Sequence, residues 1–218
     1  MTSLLAIYDR RPASFGQDRF LLTNGHTSYH EGAELYLEKN AGRFRMLLGA
    51  TASRSVGSGG NPGFRASEND PGVIGALFDS PNADSFARGR LFFDRAYTIK
   101  LSGSYQAPWD LRLAAVARYQ DGQPFARVVV ARDLGQGAEA VAAIPNGRHR
   151  FTFTFTLDAR MEKGFRFGER RLTAVAEAFN LLDNRLEVEE DVVTGPGFRT
   201  VTAVQPPRSL RFGVRFDF

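Results

Sequence analysis

Few side chains here have the type and spacing to make or break bonds. Three histidines are present. His26 and His30 stand four apart, the spacing that would place two imidazoles on one helical face to hold a metal ion, but Gly25, Thr27 and Ser28 around them make a loop. His149 is the only histidine placed to serve a Ser-His-Asp arrangement at a strand top, and its neighbours are Arg148 and Arg150. Residues 57–63, GSGGNPG, have the glycines of a phosphate loop without the Lys-Ser/Thr that must follow, so they read as a flexible connection. Asn69, Asp70, Asp79, Asn82 and Asp84 offer oxygens of the kind calcium takes, and read more simply as a solvated acidic loop. Cysteine is absent, which excludes disulfides and thiolate metal sites. No catalytic residue, metal or cofactor is expected, and the chain is not expected to be an enzyme.

What remains is a set of charges that recur at every second position: Lys100, Arg112, Arg118, Asp158, Arg160, Glu162, Glu177, Arg211, Arg215 and Asp217. A period of two belongs to strands, where successive side chains point to opposite faces. Residues 208–218, RSLRFGVRFDF, set Leu210, Phe212, Val214, Phe216 and Phe218 against Ser209, Arg211, Gly213, Arg215 and Asp217. The same alternation runs through 97–106, 111–120, 151–162 and, more weakly, 172–179. Residues 33–38 and 44–53 form an earlier pair, and residues 3–9 are expected to add one more strand. About eight strands result, each near the roughly ten residues that cross a bilayer at a tilt. Twenty-two Gly and nineteen Phe against three Met suit such an all-β chain.

The apolar sides of the five strands from Tyr97 onward carry no Lys, Arg, Asp or Glu as far as Phe218, while the ten charges above occupy the other sides. A barrel wall exposed to lipid requires this sorting, because an arginine at mid-depth costs about 2–4 kcal/mol. A β-sandwich would alternate too, with its apolar face turned inward. Aromatic position separates the two: Tyr97, Tyr119 and Phe151 fall at one end of the strands, and Tyr105, Trp109, Phe165, Phe167 and Phe218 at the other, as two interfacial girdles would. Connections alternate as well. Residues 39–42, 107–110 and 168–170 are tight turns, whereas 10–27, 54–92, 121–147 and 183–207 are long, polar and rich in Gly, Pro and Asn, all on one side.

The 28 basic residues are scattered, so the net charge of +4 does not point to nucleic acid. No run of about 18 apolar residues exists to form a transmembrane helix. The first residues, MTSLLAIYDRRPASFGQD, lack the basic start and uninterrupted apolar stretch of a signal peptide. Pairing of Arg160, Arg211 and Arg215 with Asp158, Glu162 and Asp217 across neighbouring strands is the expected role of the inward charges.

Residues 94–127, DRAYTIKLSGSYQAPWDLRLAAVARYQDGQPFAR, resemble a barrel hairpin of TonB-dependent receptors, particularly the Oar-like group with a carboxypeptidase-regulatory-like N-terminal domain. LDARMEKGF at 157–165 is similar to that family's next strand, AFNLLDN at 178–184 to its recurring FNL-x-[DN]-N stretch, and PPRSLRFGVRFDF at 206–218 to its closing strand with a terminal Phe. Residues 28–56 fit more loosely as an earlier hairpin. The resemblance implies a barrel of about 22 strands filled by an N-terminal plug, importing a scarce nutrient with energy delivered through TonB. It further implies that Phe212, Val214, Phe216 and Phe218 form the signal read by the barrel-assembly machinery.

The expectation is therefore an antiparallel transmembrane β-barrel segment with short periplasmic turns and long extracellular loops, residues 1–218 forming the C-terminal portion of an outer-membrane receptor. Its plug and TonB-contacting region would lie before an internal Met1. Its partners would be outer-membrane lipid, the assembly machinery, TonB through the missing region, and a ligand of siderophore, oligosaccharide or peptide class. The alternatives are a complete eight-stranded adhesin or structural barrel, and a soluble β-sandwich or lipocalin-like carrier.

Overall fold

Alternating sequences pair into sheets because each main-chain N–H and C=O must find a partner, and neighbouring strands supply them. The computed structural model describes residues 4–9, 27–58 and 81–218. Fourteen strands occur among them, all antiparallel in their pairing: β1 (Tyr29–Ala41), β2 (Phe44–Ser58), β3 (Arg88–Arg90), β4 (Tyr97–Ala107), β5 (Leu111–Gln120), β6 (Pro124–Phe125), β7 (Val128–Ala131), β8 (Glu139–Ala142), β9 (His149–Arg150), β10 (Thr154–Phe167), β11 (Arg170–Phe179), β12 (Glu187–Glu190), β13 (Val201–Val204) and β14 (Ser209–Asp217). Seven long ones make a meander in the order β1-β2-β4-β5-β10-β11-β14, with β3 beside the end of β2. The protein is all-β and antiparallel.

Tight turns close the meander at one end. Gly42-Arg43 joins β1 to β2 and Gly168-Glu169 joins β10 to β11, each glycine supplying the positive φ (55° and 62°) that a two-residue hairpin needs. Between β4 and β5 the turn runs through Trp109 (φ 61°) and Asp110 (φ 58°). Asp110 is held there by Arg171 Nη2 at 2.8 Å and lies over Gly164 of β10, where a Cβ would come within 2.3 Å of its carboxylate.

The opposite end is different, because its long connections fold into a cap. β6 pairs β9, β7 pairs β8 and β12 pairs β13, and a parallel bridge joins Val128 to Val193. Val128 N–H donates to Val192 O (2.9 Å) and Thr194 N–H to Val128 O (2.7 Å), which sews the 121–153 connection to the 180–208 connection. Phe125, Val128, Phe151 and Val192 pack as a buried cluster with Phe198 against it, and the rings of Phe125 and Phe151 stack 4.7 Å apart. Every buried apolar side chain among the described residues sits in this cap or at the strand ends beneath it; the middle of the sheet has none.

Three expectations change. Residues 4–9 form no strand, and Tyr8 and Asp9 bond to the cap instead, so the meander has seven long strands rather than eight. Strand β10 begins at Thr154, and Phe151 is 4% exposed inside the cap rather than at an interfacial rim, because Phe125 offers it a stacking partner. The strand also runs on to Phe167, which brings Lys163 onto the apolar face; it bends to the turn end, where Nζ donates to the Trp109 carbonyl and lies 5.6 Å from the Phe165 ring. Residues 59–63 of the glycine-rich stretch and most of the 10–27 connection lie outside the described residues.

With its dry core in the cap, the protein is expected to loosen in two parts. Phe125→Ala should destabilise the cap by about 3–5 kcal/mol. Amide exchange should then accelerate across 121–153 and 187–204 while the amides of β4, β5, β10 and β11 keep their protection.

Candidate functional site

The register carries each strand's alternation into the next, so the ten charged residues project from one face of the sheet: Lys100 from β4, Arg112 and Arg118 from β5, Asp158, Arg160 and Glu162 from β10, Glu177 from β11, and Arg211, Arg215 and Asp217 from β14. Glu177 stands opposite Arg160 on one side and Arg211 on the other. Its carboxylate accepts from Arg160 Nη1 at 2.8 Å and from Arg211 Nε, while Arg160 Nε donates to Glu162 at 2.7 Å. A ladder of alternating sign thus crosses three strands. Arg118 pairs with Asp158 at 2.5 Å, and Arg215 lies 3.3 Å from Asp217 on its own strand. The expected partners are therefore partly exchanged: Asp158 meets Arg118, and Arg211 meets Glu177. Lys100 and Arg112 have no ionic partner among the described residues.

The other face is apolar and uncovered. Leu35, Leu37, Ile99, Leu101, Leu113, Met161, Phe165, Leu210, Phe212, Val214 and Phe216 are all more than a third exposed. Charges on this face occur only toward strand ends or on the outer strand β1: Glu31 and Lys39, Arg54 at the cap end of β2, and Lys163 and Arg170 at the turn end. Tyr97, Tyr119 and Phe153 ring the cap end, with Tyr119 stacked on Phe153 at 5.4 Å, and Phe44, Tyr105, Trp109, Phe165 and Phe167 ring the turn end. Row by row, Gly103, Ala115, Ala159 and Ala178 lie side by side in register as the floor of a furrow of about 650 Å³, walled by Tyr105, Leu113, Met161 and Phe212. Phe212, Val214 and Phe216 form the apolar stripe of β14, whose outer edge has no strand beside it among the described residues, and Phe218 stacks on Phe216 at 6.0 Å.

Two polar knots fasten the cap to the sheet. In the first, the fully buried Asp94 carboxylate binds Arg150 Nη2, accepts the Ser55 N–H at 2.5 Å and lies 3.5 Å from Arg90 Nη1. Arg150 also reaches the Gly122 carbonyl (2.9 Å) and Asp121 (3.5 Å). Arg95 beside them holds its proton less tightly than an ordinary arginine, because burial penalises its charge and Arg150 repels it. In the second, Asn180 (5% exposed, φ 49°) donates from Nδ2 to the carbonyls of Asn184 and Pro206, both at 2.8 Å, and accepts the Asn184 N–H at Oδ1. Asn184 Nδ2 donates to Phe155 O at 3.0 Å, and Asp183 accepts the Arg208 N–H at 2.9 Å. The AFNLLDN stretch is thus a tie joining β10, β11 and the entry to β14. The Arg208 N–H, and after it Arg185, hold the Asp183 carboxyl below the usual carboxylate range. A depressed folded-state pKa stabilises fully above the unfolded value of about 4 and is lost as pH falls through the folded one, so this tie weakens only in acid.

The residues weighed for other chemistry have structural partners where they are described. His149 stacks on Phe125 at 5.8 Å. His30 Nδ1 meets Ser55 Oγ at 2.8 Å, while His26 lies outside the described residues. Asn82 binds the main chain of Tyr8; Asn69, Asp70 and Asp79 lie outside the described residues. Among the described residues no group of three or more His, Cys, Asp or Glu is gathered as a metal site. Sequence reading missed the Asp94 knot, since its partners come from 39 and 56 positions away, and it singled out Asn82 without its partner Tyr8, 74 positions away. Searches of protein-family models and of curated proteins both give no match to this sequence.

Asp94→Ala is expected to cost about 3 kcal/mol, because Arg150 would keep only the longer contact to Asp121 and the Ser55 N–H would lose its acceptor. A denaturant melt monitored in the cap would show the loss, whereas the same substitution at exposed Asp217 should change stability by no more than about 1 kcal/mol.

Proposed function

We propose that this chain is part of the wall of an outer-membrane β-barrel of the TonB-dependent receptor type, taking up a scarce nutrient that the cap side meets first. The observation that carries the reading is the uncovered apolar face, which extends over seven strands without a buried residue in its middle. Soluble proteins rarely leave so large a contiguous apolar surface in water. Acyl chains would cover it at no polar cost, since the charges on it sit toward strand ends or on the outer strand. Strands of 9 to 15 residues, tight turns at one end and folded connections at the other suit a tilted crossing between a periplasmic and an outer surface. The ionic face would then look into a watery bore and toward a plug, with Lys100 and Arg112 among the cations left for groups beyond the wall. The aromatic stripe of Phe212, Val214, Phe216 and Phe218 on an open edge has the form that barrel-assembly machinery would grip, and TonB would act through a region outside this chain.

Topology bears on the rival barrel. Seven antiparallel strands leave β1 and β14 running in the same direction, so an all-antiparallel closure takes an odd number of further strands. The eighth strand of a self-contained barrel was expected at residues 3–9, where the described residues form none. A wall segment of a larger barrel fits this better. The furrow on the apolar face favours a second reading, in which the sheet curls around that face to carry a small apolar ligand.

Substitutions separate the two faces. Leu157→Arg and Val214→Arg, on the apolar side at mid-strand, should each block assembly into outer-membrane-like vesicles, at about 2–4 kcal/mol per arginine. Thr156→Arg on the ionic side should assemble normally. A chain that is monomeric and melts cooperatively in detergent-free buffer, with all three variants alike, would overturn the membrane reading and leave the carrier.

A further inference from the structure

Residues 4–9 have no regular structure of their own, yet the cap holds Tyr8 by its main chain and Asp9 by its carboxylate. Asn82 is the anchor. Its side chain is 2% exposed at the floor of a notch in the cap, and its amide grips a single residue from both sides: Oδ1 accepts the Tyr8 N–H at 2.8 Å, and Nδ2 donates to the Tyr8 carbonyl at 2.9 Å and to Glu139. Gln136 Nε2 donates to the same carbonyl at 3.0 Å, and the Gly135 N–H donates to the Asp9 carboxylate at 2.6 Å. The gripped side chain takes little part, since Tyr8 is 54% and Leu4 100% exposed. This is how a protein reads a peptide without reading its sequence: a buried amide matched to one N–H and one C=O, with a single charge-assisted contact for direction. If the segment leaves, the buried amide keeps Glu139 on Nδ2 but its Oδ1 loses the Tyr8 N–H, so the notch is built around an occupant.

We infer that the notch formed by Asn82, Gly135, Gln136 and Glu139 is a peptide-binding site, occupied in cis by residues 4–9. Its preferred ligand is a peptide with an acidic residue directly after the gripped one. A second peptide enters when the resident segment is released. The inference does not depend on what the apolar face of the sheet meets, so it stands or falls separately from the membrane reading.

The test uses the folded full-length chain and a fluorescein-labelled hexapeptide copying residues 4–9, followed by anisotropy. Tyr8→Pro removes the N–H that Asn82 accepts and releases the resident from an exposed position. That variant should bind the labelled peptide at least about fivefold more tightly than the unmodified chain, in which the tethered segment competes at roughly millimolar effective concentration. A hexapeptide N-methylated at its tyrosine should not bind. Failure of the parent peptide to bind the Tyr8→Pro chain, equal affinity for both chains, or equal binding of the N-methylated peptide would each overturn the inference. Amide exchange on the unmodified chain gives a second reading that needs no variant. Excess unlabelled hexapeptide should speed exchange at Tyr8 while Gly135 stays protected, and unchanged exchange at Tyr8 counts against the site.

Discussion

Side chains alternate across a strand, and an antiparallel register passes that alternation to the next strand unshifted. In this protein the transfer succeeds six times in succession, from β1 through β14. A slip of one residue at any pair would exchange the two faces beyond it and put Arg160 or Arg211 among leucines and phenylalanines. The turns keep the register from slipping. Gly42, Gly168 and the Trp109-Asp110 corner allow the strands to reverse within two or three residues, and Asp110 is fastened to Arg171 across Gly164. Everything else in the molecule assumes two chemically distinct faces.

Purity on the ionic side comes from geometry more than from strength. The ladder through Glu162, Arg160, Glu177 and Arg211 places opposite charges beside one another where the register makes them neighbours. Exposed pairs of this kind contribute about 0–1 kcal/mol each in water, so they specify which strand lies next to which rather than hold the sheet together. The apolar side contributes little in water as well, because no second layer covers its side chains among the described residues. A sheet of this kind needs a medium or a partner to cover it, and that need is the basis of the barrel reading.

The cap is organised on the opposite principle. It has the dry cluster around Phe125 and Phe151, a fully buried carboxylate at Asp94 and a buried amide tie at Asn180. Long connections on one side of a sheet are often individual loops; here two of them share one core, a third is tied to them through Arg90 and Asp94, and side chains that satisfy main-chain groups anchor them to strand ends. The cap is accordingly a shaped body with its own dry core and its own buried polar anchors, of which Asn82 is one.

Period-two alternation, charge sorting and the rough positions of tight turns are local properties, and the sequence determined them. The ends of β5, those of β4 and the 168–170 turn to within a residue, and the face on which each of the ten charges sits could be read from residue order, whereas the turn expected at 39–42 narrows to Gly42-Arg43 because β1 pairs with β2 as far as Ala41. Partner choice was not legible. Arg118 rather than Arg160 meets Asp158 because the stagger between β5 and β10 decides which guanidinium arrives there, and no period encodes a stagger. The cap was hidden for a related reason, since residues 121–147 and 183–207 look like polar loops until distant segments offer one another hydrogen bonds and a common apolar cluster. Phe151 read as the first residue of a strand and folded into the cap, because burial against Phe125 outweighs continuing an alternation toward solvent. Alternation is written in single residues, whereas the cap and its knots exist only where segments far apart in the chain desolvate each other.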